Sequence, residues 1–141
     1  MKERINDKIA EIEEFLDFLM ERVPSSLEEY KLNLEKKAIC ERYAEKIIEA
    51  LVDLTFLAIK HLNIEIPAEV TDTEIFDLLA DKKVITKKIS EKLREAKGMR
   101  NIIAHEYGVI DDEIVYEAVS SELEKDARDF IKAIKLVLKE D

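Results

Sequence analysis

The sequence predicts an all-α protein, an antiparallel four-helix bundle with one or two short additional helices. Of its 141 residues, 47% are apolar and 40% are Asp, Glu, Lys or Arg, a balance typical of amphipathic helices. Two glycines and two prolines leave little of the turn chemistry that a β-sandwich or barrel needs. Apolar residues recur at steps of three and four, which places them on one helical face. The length predicts a single domain, residues 1–141.

The first half of the chain predicts two long helices with a short one between them. An apolar stripe at helical spacing covers about residues 2–22 and stops just before the first proline. Ser25 and Ser26 each precede a glutamate by three residues, the capping-box pattern that opens a short helix. Asn33 is expected to cap a long helix from Leu34 to Leu62. The apolar face of that helix is wide, which implies several neighbours or, if one bundle cannot bury it, a second copy.

The second half predicts one small helix and two long ones. Thr71–Glu74 is a further capping box, and a small apolar helix follows it. The next apolar stripe predicts a helix that ends near Gly108, since glycine favours the left-handed position after a helix; its members are Ile85, Ile89, Leu93, Ala96 and Ile103. Asp111 is expected to cap the last helix. Long helices with short connections pack as an antiparallel bundle.

The charge of the chain is unevenly distributed. The net charge is −10, the wrong sign for a domain held to nucleic acid by bulk electrostatics. The stretch from Lys82 to Arg100 nevertheless holds eight basic and two acidic residues, a local charge of +6 that leaves −16 for the remainder. This asymmetry suggests a face suited to an anion, and an ordinary solvated helix face is the alternative.

Several kinds of site are absent from the sequence. One cysteine, Cys40, and two histidines provide neither a disulfide nor a zinc-ligand pattern. No Gly-rich phosphate loop, Gly-x-Ser-x-Gly elbow or Glu-x-x-His pair occurs, so we expect no metal and no cofactor. His61, at the end of a helix, is interpreted as structural. No apolar run is long enough to cross a membrane, and the charged start predicts no signal segment, so we expect a cytoplasmic protein with no membrane partner.

The segment 98–108 gathers unusual polar residues between the only two glycines of the chain. Arg100 falls inside the apolar stripe, where a guanidinium needs an anion. That anion is either a carboxylate of a facing helix or an external carboxylate or phosphate. His105 follows five residues later and would point about 140° away on an unbroken helix. Either the helix end opens, or a two-fold axis brings two copies of the segment together.

The pattern Arg-x4-His-x-Tyr at residues 100–107 resembles the motif of HEPN-domain proteins, specifically the HepT toxin family. Similar residues occur along essentially the whole chain, at Ser26–Tyr30, Ala44–Leu54, Val84–Ile85, Ile110–Asp111 and Val115–Tyr116. Met99 stands where that family often has an aromatic residue, which leaves the motif intact. The resemblance implies a HEPN-like homodimeric helical bundle that acts as a metal-independent endoribonuclease. It also implies a toxin whose antitoxin is a minimal nucleotidyltransferase.

The resemblance assigns roles to four residues of the motif. Arg100 and His105 would carry cleavage, Asn101 would support them, and Tyr107 would accept AMP from the antitoxin. This agrees with elementary chemistry, because RNA carries its own nucleophile in the 2′-hydroxyl. An imidazole can move protons near neutral pH, and a guanidinium can stabilise the phosphorus centre. Adenylate on Tyr107 would add bulk and negative charge beside the guanidinium.

The basic stretch that leads into the motif is a candidate surface for flanking RNA phosphates. Its candidate RNA-binding residues are Lys87, Lys88, Lys92 and Lys97. The alternative function, from another class, is a catalytically silent dimeric module that binds a nucleotidyltransferase and is modified by it. A third interpretation treats the polar segment as an ordinary structural helix end.

Overall fold

The computed structural model describes residues 1–105 and 111–140, except for the side chains of Ala104, His105 and Glu140. All regular secondary structure in this part of the chain is helical. The elements are α1 (Lys2–Arg22), α2 (Leu27–Leu32), α3 (Leu34–His61), α4 (Ile75–Asp81), α5 (Lys87–His105), α6 (Asp112–Glu117), a π-helical turn (Ala118–Glu122) and α7 (Leu123–Glu140). Helix α1, helix α3, helix α5 and the continuous rod from α6 to α7 are the four long members. The predicted helical bundle is confirmed.

Helix α3 is the central helix of the bundle. It contacts α1, α2, α4, α5 and α7. Its pairing with α1 is antiparallel, since Lys8 lies 3.6 Å from Asp53 near one end and the Phe15 and Tyr43 rings are 5.9 Å apart near the other. Among the described residues, no helix is both long and apolar enough to span a bilayer.

The wide apolar face of α3 is buried inside a single protomer. The fully or nearly fully buried aliphatic residues of this helix are Ala44, Ile47, Ile48, Ala50, Leu51, Leu54, Ala58 and Ile59. Five neighbouring helices of the same chain cover them. The width of the face therefore reflects contact with several neighbours, the first of the two alternatives, and does not by itself call for a second copy.

Three of the predicted helix caps are present. The side-chain oxygens of Ser26 and Asn33 each accept a hydrogen bond from the backbone N–H three residues later, both at 3.1 Å. Asp111 Oδ1 accepts from two successive N–H groups of α6 at 3.0 and 3.3 Å. Each cap satisfies a donor that the first turn of a helix leaves unpaired.

The fourth predicted cap, at Thr71, lies in the turn before its helix. Thr71 Oγ1 accepts from the backbone N–H of Glu74 at 3.3 Å and donates to the Glu74 carboxylate at 2.9 Å. Helix α4 begins only afterwards, at Ile75. The capping box therefore closes the turn before α4 instead of capping its first turn.

The last helix contains a π-helical turn over Ala118–Glu122 that we had not predicted. Its apolar stripe runs Val115, Val119, Leu123 and Ala127 in steps of four, and all four side chains are buried. Each step of four overshoots an α-helical turn by about 40°, so three such steps would rotate the stripe away from the core. A wider turn removes this drift.

Candidate functional site at the end of helix α5

Arg100 lies near the end of α5, at the edge of the bundle core. Leu93 and Ile103 on the same helix are buried and mark the face that α5 turns toward the core. The Arg100 side chain is 21% exposed. Its Nε atom is buried and has no hydrogen-bond partner among the described residues. The guanidinium is therefore largely removed from water, as its place in the apolar stripe predicts.

Glu49 of α3 is the acidic partner of Arg100. Arg100 Nη2 donates to Glu49 Oε1 in an ion pair between the two helices. The sequence allowed two partners for Arg100, a carboxylate of a facing helix or an external anion. In the single protomer the partner is the carboxylate of a facing helix. Sequence reasoning did not identify Glu49. In the sequence, Glu49 stands out only as a carboxylate directly after the apolar pair Ile47 and Ile48. That pattern does not reveal which helix Glu49 faces.

Asn101 contacts the guanidinium from a second direction. Its Oδ1 accepts from Arg100 Nη1 at 3.4 Å. Helical spacing had placed Asn101 within reach of His105, four residues later. The structure places the amide against Arg100, so Asn101 and Glu49 both hold the guanidinium; the contact with His105 stays a prediction.

The other two motif residues fall in the part of the chain where less is described. Helix α5 continues through His105, but the side chain of His105 lies outside the described residues. Tyr107 also lies outside them, within 106–110. The roles of both residues remain predictions.

The four candidate lysines occupy different surroundings along α5. Lys87 and Lys88 are exposed at the start of the helix, about 20 Å from Arg100 at 1.5 Å per residue. Lys92 lies 3.7 Å from Glu95. Lys97, one turn before Arg100, is only 9% exposed.

Other charges of the basic stretch are neutralised by the fold. Arg94 pairs with Asp77 of α4 at 3.0 Å, and Arg100 pairs with Glu49. The stretch of local charge +6 is therefore not one continuous face of free cations. Lys97 is the candidate lysine nearest to Arg100 along the helix.

Two exposed isoleucines flank the site. Ile102 on α5 is 44% exposed and Ile114 on α6 is 59% exposed. Met99 is half-buried and lines a cleft with Ile114. Exposed apolar side chains thus lie near the polar motif at this end of the bundle.

Comparison with known proteins matches most of the chain to one family. The HepT-like family, described as ribonuclease HepT-like, matches residues 5–134. A tRNA nuclease HepT from Aphanizomenon flos-aquae is 27% identical over 121 residues, which cover 86% of this chain and 81% of that protein. An mRNA nuclease HepT from Shewanella oneidensis is 33% identical over 91 residues, which cover 64% of this chain and 66% of that protein.

A solved structure shares the whole fold. It contains a tri-AMPylated HEPN toxin of Shewanella oneidensis in complex with an MNT antitoxin. That toxin is 27% identical to this chain, with a TM-score of 0.86 over 96% of this chain and 99% of its own. The family match extends from the first turns of α1 into α7. The chain belongs to the HepT-like family.

Proposed function

We propose that this chain is a metal-independent endoribonuclease and the toxin of a toxin–antitoxin pair. The observation that carries the proposal is the guanidinium of Arg100, held between Glu49 and Asn101 at the edge of the bundle. Two relatives are described as a tRNA nuclease and an mRNA nuclease, which supports RNA as the substrate. Such a toxin would act in the cytoplasm.

The proposed reaction uses Arg100 and His105 in distinct roles. Arg100 binds nonbridging oxygens of the scissile phosphate and stabilises the charge that develops at phosphorus. His105 transfers a proton, which suits an imidazole near neutral pH. Asn101 holds the guanidinium, and Lys97 supplies a nearby positive charge for the RNA backbone. Lys87, Lys88 and Lys92 would contact more distant phosphates.

The proposed antitoxin is a minimal nucleotidyltransferase that transfers AMP to Tyr107. The solved relative is an AMPylated HEPN toxin bound to an MNT antitoxin, which supports this partner. Tyr107 lies seven residues after Arg100 in the sequence. A phosphate added there would compete with RNA for the guanidinium.

We also propose that the protein is a homodimer, on a basis that differs from the one expected. The wide face of α3 is already covered, but Ile102 and Ile114 remain exposed beside the site. Burying these two side chains against a second copy would place two motifs at one interface. Sedimentation of the pure protein at micromolar concentration is expected to show a dimer, and Ile102→Asp combined with Ile114→Asp is expected to dissociate it. A monomeric wild-type protein would contradict this proposal.

The nuclease proposal is tested by substitution within the motif. Arg100→Ala and His105→Ala are each expected to abolish RNA cleavage in the presence of a chelator, and to abolish growth inhibition in cells. Arg94→Ala is the matched control, since it removes an exposed arginine from the same helix. Circular dichroism verifies that each variant folds. Full activity in both motif variants would show that the site is elsewhere.

Two observations favour the silent binding module as a second candidate. Glu49 already neutralises Arg100 in the free protomer, and the whole chain carries a charge of −10. A protein with this function would bind its nucleotidyltransferase and accept AMP, yet leave RNA intact. Incubation of the pure protein with RNA in chelator separates the candidates, because the module predicts intact RNA together with undiminished partner binding.

A further inference from the structure

Cleavage of RNA by its own 2′-hydroxyl moves two protons. One proton leaves the attacking 2′-oxygen, and another reaches the departing 5′-oxygen. Within one chain, the motif offers a single side chain suited to proton transfer near neutral pH, that of His105. A second proton-transfer group is therefore needed, from this chain or from a second copy, and the inference below rests on the proposed ribonuclease function.

Glu49 is a carboxylate placed directly on the guanidinium that is assigned to the phosphate. Its side chain is 45% exposed, so a ligand bound at Arg100 can reach it. Among the described residues, Arg100 is the only cation within ion-pair distance of this carboxylate. The ion pair engages Oε1, and the carboxylate keeps further lone pairs that can accept a proton.

The guanidinium keeps N–H donors for a phosphate while Glu49 remains bound. An arginine carries five N–H donors, two on each terminal nitrogen and one on Nε. Glu49 takes one donor of Nη2 and Asn101 takes one of Nη1. One N–H on each terminal nitrogen is left for the paired hydrogen bonds that phosphate oxygens accept.

We propose that Glu49 is the group that accepts the proton of the 2′-hydroxyl. The phosphate and the carboxylate share one guanidinium, and the 2′-hydroxyl is on the sugar that carries this phosphate. The 2′-oxygen forms a bond to phosphorus and its proton passes to the ionised Glu49. The bond from phosphorus to the 5′-oxygen breaks, and His105 in its protonated form gives that oxygen a proton. The products are a 2′,3′-cyclic phosphate and a 5′-hydroxyl.

Two other roles for Glu49 predict different behaviour. If it only holds Arg100 in place, Glu49→Gln keeps an oxygen that accepts the same hydrogen bond and retains activity. If it only competes with the phosphate, Glu49→Gln removes the competing charge and raises affinity for RNA and the rate at low substrate concentration. If it accepts the proton, Glu49→Gln binds RNA but cleaves it slowly.

The test measures kcat/KM for an RNA oligonucleotide across pH, together with binding of the 2′-deoxy analogue, which has no nucleophile. We expect Glu49→Gln to bind the analogue at least as tightly as the wild type and to lose about 10²-fold or more in kcat/KM. The rise of kcat/KM from acidic pH, which requires a deprotonated base, should disappear. Glu49→Asp should retain that rise at a reduced rate.

Glu45→Gln is the matched control, because it lies one turn earlier on α3 and contacts Arg42 at 3.9 Å; it should leave the profile unchanged. The proposal is overturned if Glu49→Gln cleaves with the wild-type pH profile, which would assign the second proton transfer to another group, such as the imidazole of a second copy. It is also overturned if Glu49→Gln loses binding of the analogue in parallel with cleavage. A wild-type protein that cuts no RNA would instead contradict the ribonuclease function itself.

Discussion

The carboxylate of Asp77 accepts a hydrogen bond from the buried hydroxyl of Ser90 at 2.7 Å. This contact joins the short helix α4 to α5, and Arg94 donates to the second oxygen of Asp77 at 3.0 Å. Ser90 is only 2% exposed, so its hydroxyl has little access to water. We expect Asp77→Ala to lower the free energy of unfolding by about 1–3 kcal/mol, because a buried donor loses its partner. Urea denaturation measures the change.

The ion pair between Arg94 and Asp77 provides the control for Asp77→Ala. Arg94 and Asp77 are both more than one-third exposed, and ion pairs of this kind contribute less than about 1 kcal/mol. Arg94→Ala should therefore cost less than Asp77→Ala. Equal losses in the two variants would assign the stabilisation to the ion pair instead of the hydroxyl.

Two tyrosines that pack together provide a second prediction. The Tyr30 and Tyr116 rings are 5.3 Å apart. Tyr116 donates its hydroxyl proton to the carbonyl oxygen of Pro24 at 2.7 Å, whereas the buried Tyr30 hydroxyl has no hydrogen-bond partner among the described residues. Tyr116→Phe should lower the free energy of unfolding by about 0.5–1.5 kcal/mol, and Tyr30→Phe should leave it unchanged or raise it. Thermal and urea denaturation of the pair test this; a larger loss for Tyr30→Phe would reveal a partner for its hydroxyl.

The buried thiol of Cys40 predicts a loss of stability at alkaline pH. Burial raises the pKa of this thiol from its ordinary value of 9.0 to about 11. Between these values the unfolded chain ionises its thiol and the folded chain does not. The free energy of unfolding should therefore fall as pH rises from about 9 to about 11, by about 2–3 kcal/mol from this group.

Urea denaturation at pH 8 and pH 10.5 measures that loss. Cys40→Ala is the control, since it removes the thiol and retains the other titrating groups. Its stability should decline less over the same range. An equal decline in both proteins would exclude Cys40 as a source. The native thiol should also react slowly with alkylating reagents at pH 8 and quickly in urea.

Lys97 should contribute more to RNA cleavage than the lysines at the start of α5. It lies one turn from Arg100, whereas Lys87 and Lys88 lie about 20 Å away. Lys97→Met keeps an unbranched apolar stem in its largely buried position while removing the charge. We expect Lys97→Met to raise KM several-fold at low salt, and we expect the difference from the wild type to become smaller at high salt. Lys87→Met together with Lys88→Met should have the smaller effect, and the reverse order would place the RNA along the first half of α5.

Most of the architecture could be predicted because local patterns encode it. The caps of Ser26, Asn33 and Asp111 depend on residues no more than three positions away, and helical periodicity alone places α1 and α3. The π-helical turn was missed although its signal is local, a run of apolar residues in steps of four. The capping box at Thr71 was predicted correctly as a motif. The motif alone does not determine at which residue the following helix begins, which is Ile75.

The site was predicted from the sequence only in part. The apolar stripe placed Arg100 at the edge of the core, and the motif nominated Asn101, His105 and Tyr107 by resemblance. The carboxylate that binds Arg100 could not be identified, because Glu49 lies 51 residues away and many acidic residues of the long helices were equally eligible. The wide face of α3 also allowed two explanations, and only the packing showed that one chain covers it.

The order of residues was by itself sufficient for the long helices, for the caps of Ser26, Asn33 and Asp111 and for the position of Arg100 in the apolar stripe of α5, since each depends on neighbours within a turn or two. Tertiary packing decided which helices meet, and with that the pairing of Arg100 with Glu49 and of Ser90 with Asp77. Long-range pairs of this kind depend on the rotation and register of two helices relative to each other. The packing of the whole core sets the rotation and the register, and a local sequence pattern does not specify that packing.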